Sequence, residues 1–202
     1  MFDAFGEALY EKNKQFNLTR VPYDECAVRH FVESLLILGF LPVGAKVLDV
    51  GCGPGFPSWP IACARPDIAV TALDSSAKLL GFLREWPLPN LTAVQGRAEE
   101  SSKRERFDVV TGRAVAPVAQ QLEVSAALAA VGGIVVPFRT PADLDAIRAF
   151  PAEKLGLELE AVETRSLPSG MGERLFPLFR KVSATERKYP RRWAEIKARP
   201  LA

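Results

Sequence analysis

Apolar and polar positions along the chain change rhythm near residue 45. Before it, apolar residues recur at helical spacing. Phe2, Phe5, Leu9 and Phe16 fall near one stripe of a helix over 2–16. Cys26, Phe31, Leu35 and Leu38 share a face of a second helix from Tyr23 to Leu38, with Asp24 near its N-cap. Beyond residue 45, short apolar runs alternate with helical segments. Strands are expected at 46–50, 68–73, 91–95, 107–111 and 132–137. Helices are expected at 57–65, from a Ser75 or Ser76 cap to about Trp86, at 117–130 and at 142–155. Two last strands, 157–164 and 174–181, flank a turn holding Pro168, Gly170 and Gly172. Strands alternating with helices imply parallel pairing through right-handed crossovers, and the late pair implies one antiparallel edge strand. The expected architecture is therefore α/β: a mostly parallel sheet with helices on both faces. It divides into an N-terminal helical extension (1–40), a body (41–182) and a C-terminal tail (183–202).

Composition narrows the classes. Of 202 residues, 48% are hydrophobic and 25% charged, as in globular domains, which excludes wholesale disorder. No apolar run approaches the ~18 residues of a membrane span, and the first residues lack the pattern of a secretory signal. Three cysteines (Cys26, Cys52, Cys63), no C-x-x-C and a single histidine, His30, imply neither a disulfide framework nor a metal site. The cytosol is the expected compartment. The net charge of +2 conceals an asymmetry: residues 181–202 hold seven basic and two acidic residues, net +5, leaving −3 for the rest. Such a tail is either a phosphate-binding arm or a solvated terminal helix.

The stretch with the most chemical content is Val47-Leu48-Asp49-Val50-Gly51-Cys52-Gly53-Pro54-Gly55-Phe56. A strand runs into three alternating glycines and then a helix, where ligands of open α/β sheets bind. The dinucleotide pattern G-x-G-x-x-G fails because position 56 is Phe, and the P-loop pattern fails for want of a Lys. The spacing resembles motif I of S-adenosylmethionine-dependent methyltransferases. Asp74 ends the next strand, where an acid can accept both ribose hydroxyls. After the third strand, Arg97-Ala98-Glu99-Glu100 offers a backbone amide at Ala98 and a carboxylate at Glu99 for an adenine ring; the alternative is a solvated helix start. Cys52 is expected to be a small buried filler and His30 a satisfied structural histidine.

Further elements stand in order: Phe16-Asn17-Leu18-Thr19, Arg29-His30 with Glu33-Ser34-Leu35, Asp49 to Pro57, Arg65-Pro66, Leu73-Asp74-Ser75 with Lys78 and Phe82-Leu83. Arg97-Ala98-Glu99, Phe107-Asp108, Arg113-Ala114 and Lys188-Tyr189-Pro190-Arg191-Arg192 follow. In this order they resemble the 16S ribosomal RNA guanine-N7 methyltransferase G family, also called glucose-inhibited division protein B. The resemblance implies a Rossmann-like class I methyltransferase with a seven-stranded sheet and S-adenosylmethionine as cofactor. It implies N7 of one guanine in the 530 loop of 16S rRNA as acceptor. Carried over by position, Gly51, Gly53, Gly55, Phe56, Asp74, Ala98, Glu99 and Arg113 are the cofactor-binding residues. The chain departs from the family pattern in an N-terminus shorter by roughly two helical turns, in Gly112 for a serine, in Ser58-Trp59 after the loop, and in Phe138-Arg139 for Lys-Gly.

No general base is expected, since guanine N7 carries a lone pair and no proton. Arg113 is the candidate positioning residue, facing the cofactor or a phosphate; its alternative is a structural ion pair. RNA contacts are expected from Arg29, Arg139, Lys188, Arg191 and Arg192, with Arg20, Arg174 and Arg180 as further cations. Trp59 and Phe138 either stack on an extruded base or belong to the core. The expected partner is 16S rRNA or the 30S particle, with no membrane and no metal, and the protein is expected to be a monomer. A small-molecule methyltransferase and a non-catalytic module binding S-adenosylmethionine or RNA remain alternatives.

Overall fold

A computed structural model describes residues 1–202. The seven strands are β1 (Lys46–Val50), β2 (Ala69–Asp74), β3 (Leu91–Gln95), β4 (Phe107–Arg113), β5 (Ala129–Phe138), β6 (Leu157–Ser166) and β7 (Glu173–Lys181). They form one sheet in the order β3-β2-β1-β4-β5-β7-β6. β1 to β5 are parallel, and β7 runs antiparallel to both β5 and β6. The single reversed strand thus lies one place in from the edge that β6 forms.

The helices are α1 (Phe2–Asn13), α2 (Glu33–Leu35), α3 (Ser58–Ala64), α4 (Ala77–Arg84), α5 (Val118–Ala126), α6 (Leu144–Ala149) and α7 (Trp193–Ala198). Alternate residues of the strands feed opposite faces, as the two-residue period of a strand requires. Leu48 and Val50 of β1 join Val110, Leu122, Ile147 and Ile196 in one core. Val47 points the other way, to Ile61, Val70 and Val136. A third cluster packs Phe5 and Leu9 of α1 onto Trp59, Leu80 and Leu83. The exposed edge strand β6 carries Glu158, Glu160, Glu163 and Arg165, charges that discourage pairing with another sheet.

Three local expectations are revised. The helix expected over 142–155 breaks between α6 and a 3-10 turn at Ala152–Leu155. Pro151 forces Phe150 out of the helical region, to φ −67° and ψ 129°. The helix expected from Tyr23 to Leu38 is a succession of short helical turns, with π-type bonding over Ala27–Val32. β5 begins at Ala129, because Gly132-Gly133 sits inside the strand where its register with β4 shifts.

The tail is not a free arm. Arg104 donates to the carbonyls of Thr185 and Tyr189, both at 2.8 Å. Arg191 clasps the fully buried Glu123 on α5, its backbone N at 3.0 Å, Nε at 2.8 Å and Nη2 at 2.6 Å from the carboxylate. Ile196 of α7 is fully buried.

Candidate functional site

The carboxyl ends of β1, β2, β4 and β5 converge on two adjoining cavities. The glycine loop after β1 divides them. Gly51 and Cys52 donate their amides to the Leu73 carbonyl at 2.8 and 3.1 Å, which closes the loop against the end of β2. Asp74 braces it further: its Oδ2 accepts from Gly53 N at 2.8 Å and its Oδ1 from Ser76 N at 2.7 Å. Gly53 has φ +57° with open space where a side chain would stand. This is the backbone conformation that lets a ligand approach the main chain.

The smaller cavity, about 300 Å³, is bounded by Gly51, Leu73, Asp74, Ala98, Glu99, Ala114, Val115 and Trp193. Its walls mix apolar side chains with two acids, of which Asp74 is held by backbone amides. Glu99 Oε1 is buried with no hydrogen-bond partner, and Arg97 Nη1, at 3.5 Å, is in ion-pair range only. A buried acceptor left open in a cavity is a position for a ligand donor. The residues therefore fit a nucleoside: an acid placed for hydroxyls, a buried carboxylate oxygen with no hydrogen-bond donor for an amine, and apolar side chains between.

The larger cavity, about 430 Å³, meets the smaller at Gly51 and Ala114. It is lined by Thr19, Arg29, His30, Glu33, Phe56, Arg113, Phe138, Arg139, Asp143 and Arg174, among others. A connected polar network runs along it. Arg113, at the end of β4, donates to the Arg29 carbonyl, reaches His30 Nδ1 at 3.2 Å and lies 3.6 Å from Glu33. Glu33 is shared with Arg174 of β7 at 2.8 Å. A guanidinium only donates, so His30 Nδ1 carries no proton and Nε2–H donates to Thr19 Oγ1 at 2.8 Å. The His30 ring stacks on Phe56, centroids 4.1 Å apart and planes 9° apart, and the Arg113 guanidinium sits 5.5 Å from the Phe56 centroid.

Burial and the neighbouring Arg113 charge lower the His30 pKa to about 3, so the imidazole is neutral. Burial raises Asp49, beneath the glycine loop, to about 7; its Oδ2 accepts from Ser58 N while Oδ1 has no partner. Burial likewise raises the Cys52 thiol, far from a thiolate nucleophile.

The structure distributes the expected residues unevenly. Gly51, Asp74, Ala98 and Glu99 face the smaller cavity, and Gly53, Phe56 and Arg113 the larger. Gly55 faces neither: it lies behind the loop, where a Cβ would come within 2.7 Å of Leu83 Cδ1. Three of the expected RNA cations are committed internally, Arg174 through its bond to the buried Glu33. Arg139 is buried, donating to Gln121 Oε1 and to the Ala116 carbonyl, and Arg191 holds Glu123. Arg180 is paired to Glu160 through two bonds, and Lys188, though exposed, pairs with Glu186. Arg29 is partly exposed and paired with Glu25, whereas Arg20 and Arg192 are exposed. Trp59 cannot stack on a base: it is 1% exposed and stacked on Phe5 at 4.0 Å. Phe138 is buried against Phe176 with an edge on the larger cavity. Trp193, Glu33 and Thr19 enter the cavities without having been expected there. Trp193 gives no local signal, since its place depends on tail docking.

The family model for rRNA small subunit methyltransferase G matches residues 1–174. A Lactobacillus delbrueckii subsp. bulgaricus protein, "Ribosomal RNA small subunit methyltransferase G", is 39% identical over 99% of this chain and 90% of its own length. The protein of the same description from Pelotomaculum thermopropionicum is 37% identical over 99% of this chain and 89% of its own. Among solved structures, M. jannaschii TYW2 in complex with AdoMet superposes with TM-score 0.59 at 17% identity, covering 75% of each chain. A TehB-like SAM-dependent methyltransferase from Corynebacterium glutamicum superposes with TM-score 0.57 at 20% identity, over 89% of this chain and 99% of that one.

Proposed function

Because the chain belongs to the rRNA small subunit methyltransferase G family, it is an S-adenosylmethionine-dependent enzyme acting on small-subunit rRNA, and we propose that its acceptor is N7 of one guanine in the 530 loop of 16S rRNA. When bound, S-adenosylmethionine supplies an electrophilic methyl group on a sulfonium centre. Gly51, Asp74, Ala98 and Glu99 would hold its nucleoside, with Gly53, Phe56 and Arg113 nearer the junction of the two cavities. The observation that carries the reading is that junction: a cleft suited to a nucleoside opens at Gly51 and Ala114 into a second cavity, large enough to admit a base.

The side chains there suit an acceptor that needs no deprotonation. Both His30 nitrogens are engaged, and Glu33 is held by Arg113 and Arg174. Arg113 is tied back to Arg29, His30 and Glu33, which keeps it from pairing with the N7 and O6 edge of a guanine, a contact that would occupy the reacting lone pair. Catalysis then rests on orientation, bringing acceptor and donor to about 3–3.5 Å in line. RNA phosphates are met by the exposed Arg20, Lys78 and Arg192, with Arg29 at the cavity wall.

The test is transfer of radiolabelled methyl from S-adenosylmethionine to 30S subunits and to naked 16S rRNA from cells lacking this gene, followed by nuclease mapping. Label on N7 of one 530-loop guanine is expected. Label on another atom or another loop, or none while the cofactor still binds, overturns the proposed acceptor.

A further inference from the structure

The residue of the smaller cavity that comes from farthest along the chain is Trp193, at the start of α7. It borders the cavity with Asp74, Ala98, Glu99 and Val115, and it also packs on the core beside Tyr189. Its backbone is held on both sides. Two residues before it, Arg191 grips the buried Glu123; three residues after it, Ile196 is fully buried. The Lys197 ammonium stands over the indole, 6.0 Å from its centroid, which limits how the ring can turn. An aromatic side chain thus stands at the rim of a cleft that contains a buried carboxylate oxygen on Glu99 with no hydrogen-bond partner.

We propose that Trp193 forms part of the cofactor site and contacts the nucleoside end of S-adenosylmethionine, so that docking of the tail and binding of the cofactor reinforce each other. The inference rests on the reading of the smaller cavity as the cofactor cleft. An indole offers a large apolar face at small entropic cost, and adenine offers a matching π-face. The reinforcement is reciprocal by linkage: if the docked tail raises affinity for the cofactor, the cofactor favours the docked tail by the same factor. Basic residues flanking Trp193, with Arg192 exposed, then sit on the same element as a cofactor contact.

The test uses the full-length protein and S-adenosylhomocysteine, the demethylated cofactor, as probe. Calorimetry compares wild type, Trp193→Ala and Trp193→Phe, and thermal unfolding without ligand checks that each variant is folded. Trp193→Ala is expected to weaken binding about ten-fold, the effect of removing one aromatic stacking partner, and Trp193→Phe to restore most of it. Tryptophan fluorescence gives an independent readout. The other two tryptophans, Trp59 and Trp86, pack on each other in the third core cluster and line neither cavity, so a ligand-induced change in wild type is expected to shrink strongly in Trp193→Phe. If Trp193→Ala fails to fold, the fluorescence of Trp193→Phe decides alone. Binding within two-fold of wild type in Trp193→Ala, or an undiminished fluorescence change in Trp193→Phe, overturns the inference while leaving the cofactor cleft in place. Absence of binding in wild type overturns the cleft assignment and this inference with it.

Discussion

Replacing Arg191 by Ala isolates the bond that fastens the tail. The substitution removes two charge-assisted bonds, Nε at 2.8 Å and Nη2 at 2.6 Å, and leaves the backbone bond to the same carboxylate. Glu123 stays on α5 with 0% exposure and loses its counter-charge. Removing one partner of a buried pair costs ~3–5 kcal/mol, because the remaining ion is desolvated and uncompensated. Arg191 itself is 24% exposed, so water can reach the vacated place, and the lower end, about 3 kcal/mol, is the expected value. At 2–4 °C per kcal/mol for a chain of this size, Tm should fall by roughly 6–12 °C. Urea unfolding followed by circular dichroism measures the loss directly. The double variant Glu123→Ala with Arg191→Ala is the control: with no bare charge left, it should be more stable than the sum of the two single losses by about 1 kcal/mol or more. A loss under about 1 kcal/mol in Arg191→Ala, or strict additivity in the double variant, would refute the description of the pair as a desolvated clamp.

Acid titration should reveal two opposed groups. Unfolded His30 takes its proton near 6.5 and the folded one only near about 3, so its contribution to stability is lost as pH falls below about 6.5. Asp49 works in the other direction: folded it holds a proton up to about 7, unfolded only to about 3.8, so its burial weakens the fold as pH rises through that window. The two slopes, about 1.4 kcal/mol per pH unit each, offset one another between roughly 4 and 6.5, and Asp49→Asn should convert a flat urea-midpoint profile into one that falls on acidification. An unchanged profile in that variant would contradict the assigned burial effects. Gly55→Ala should cost ~2–4 kcal/mol, since φ +121° and a 2.7 Å approach to Leu83 act together, whereas Gly53→Ala should cost about 1 kcal/mol; equal thermal shifts would contradict this packing. Glu99→Gln should weaken calorimetric S-adenosylmethionine binding about ten-fold while leaving thermal stability unchanged or slightly raised, because the unbound protein leaves Oε1 unsatisfied. Arg20→Ala, Lys78→Ala and Arg192→Ala should each reduce the log–log salt slope of RNA binding by about 0.7 if each meets one phosphate.

The strands read most directly from the sequence are those whose boundaries are local. β1 and β3 match their expected limits, β1 because a buried parallel strand is a short apolar run stopped by Gly, and the edge strand β3 because Asn90 and Gly96 bracket it. Asp74 was legible for the same reason, as the acid that ends a strand beside the glycine loop. What escaped depends on partners distant in the chain. Arg139 and Arg191 carry the same charge as a solvated cation, and only Gln121 and Glu123 on the folded α5 show that they point inward. The +5 tail suggested an arm because charge was visible while the buried positions of Ile196 and the clasped Glu123 were not. Gly55 looked like a loop glycine facing ligand, yet its requirement comes from Leu83 of α4 on the opposite side.

The strand order has a consequence for the nascent chain. β1 is third in the sheet, and its two neighbours emerge far apart: β2 follows soon, but β4 starts only at Phe107. During synthesis β2 and β3 can pair on one side of β1 while its other edge, flanked by the buried Val47, Leu48 and Val50, stays open. An apolar strand with a bare edge accepts any extended segment, including one from a second copy. The sheet therefore grows from β1 first toward β3 and later toward β6, and the interval between those two phases is when a crowded or overproduced chain should aggregate. That hazard ends when β4 and β5 cover the open side of β1, leaving only β3 and the charged β6 as edges.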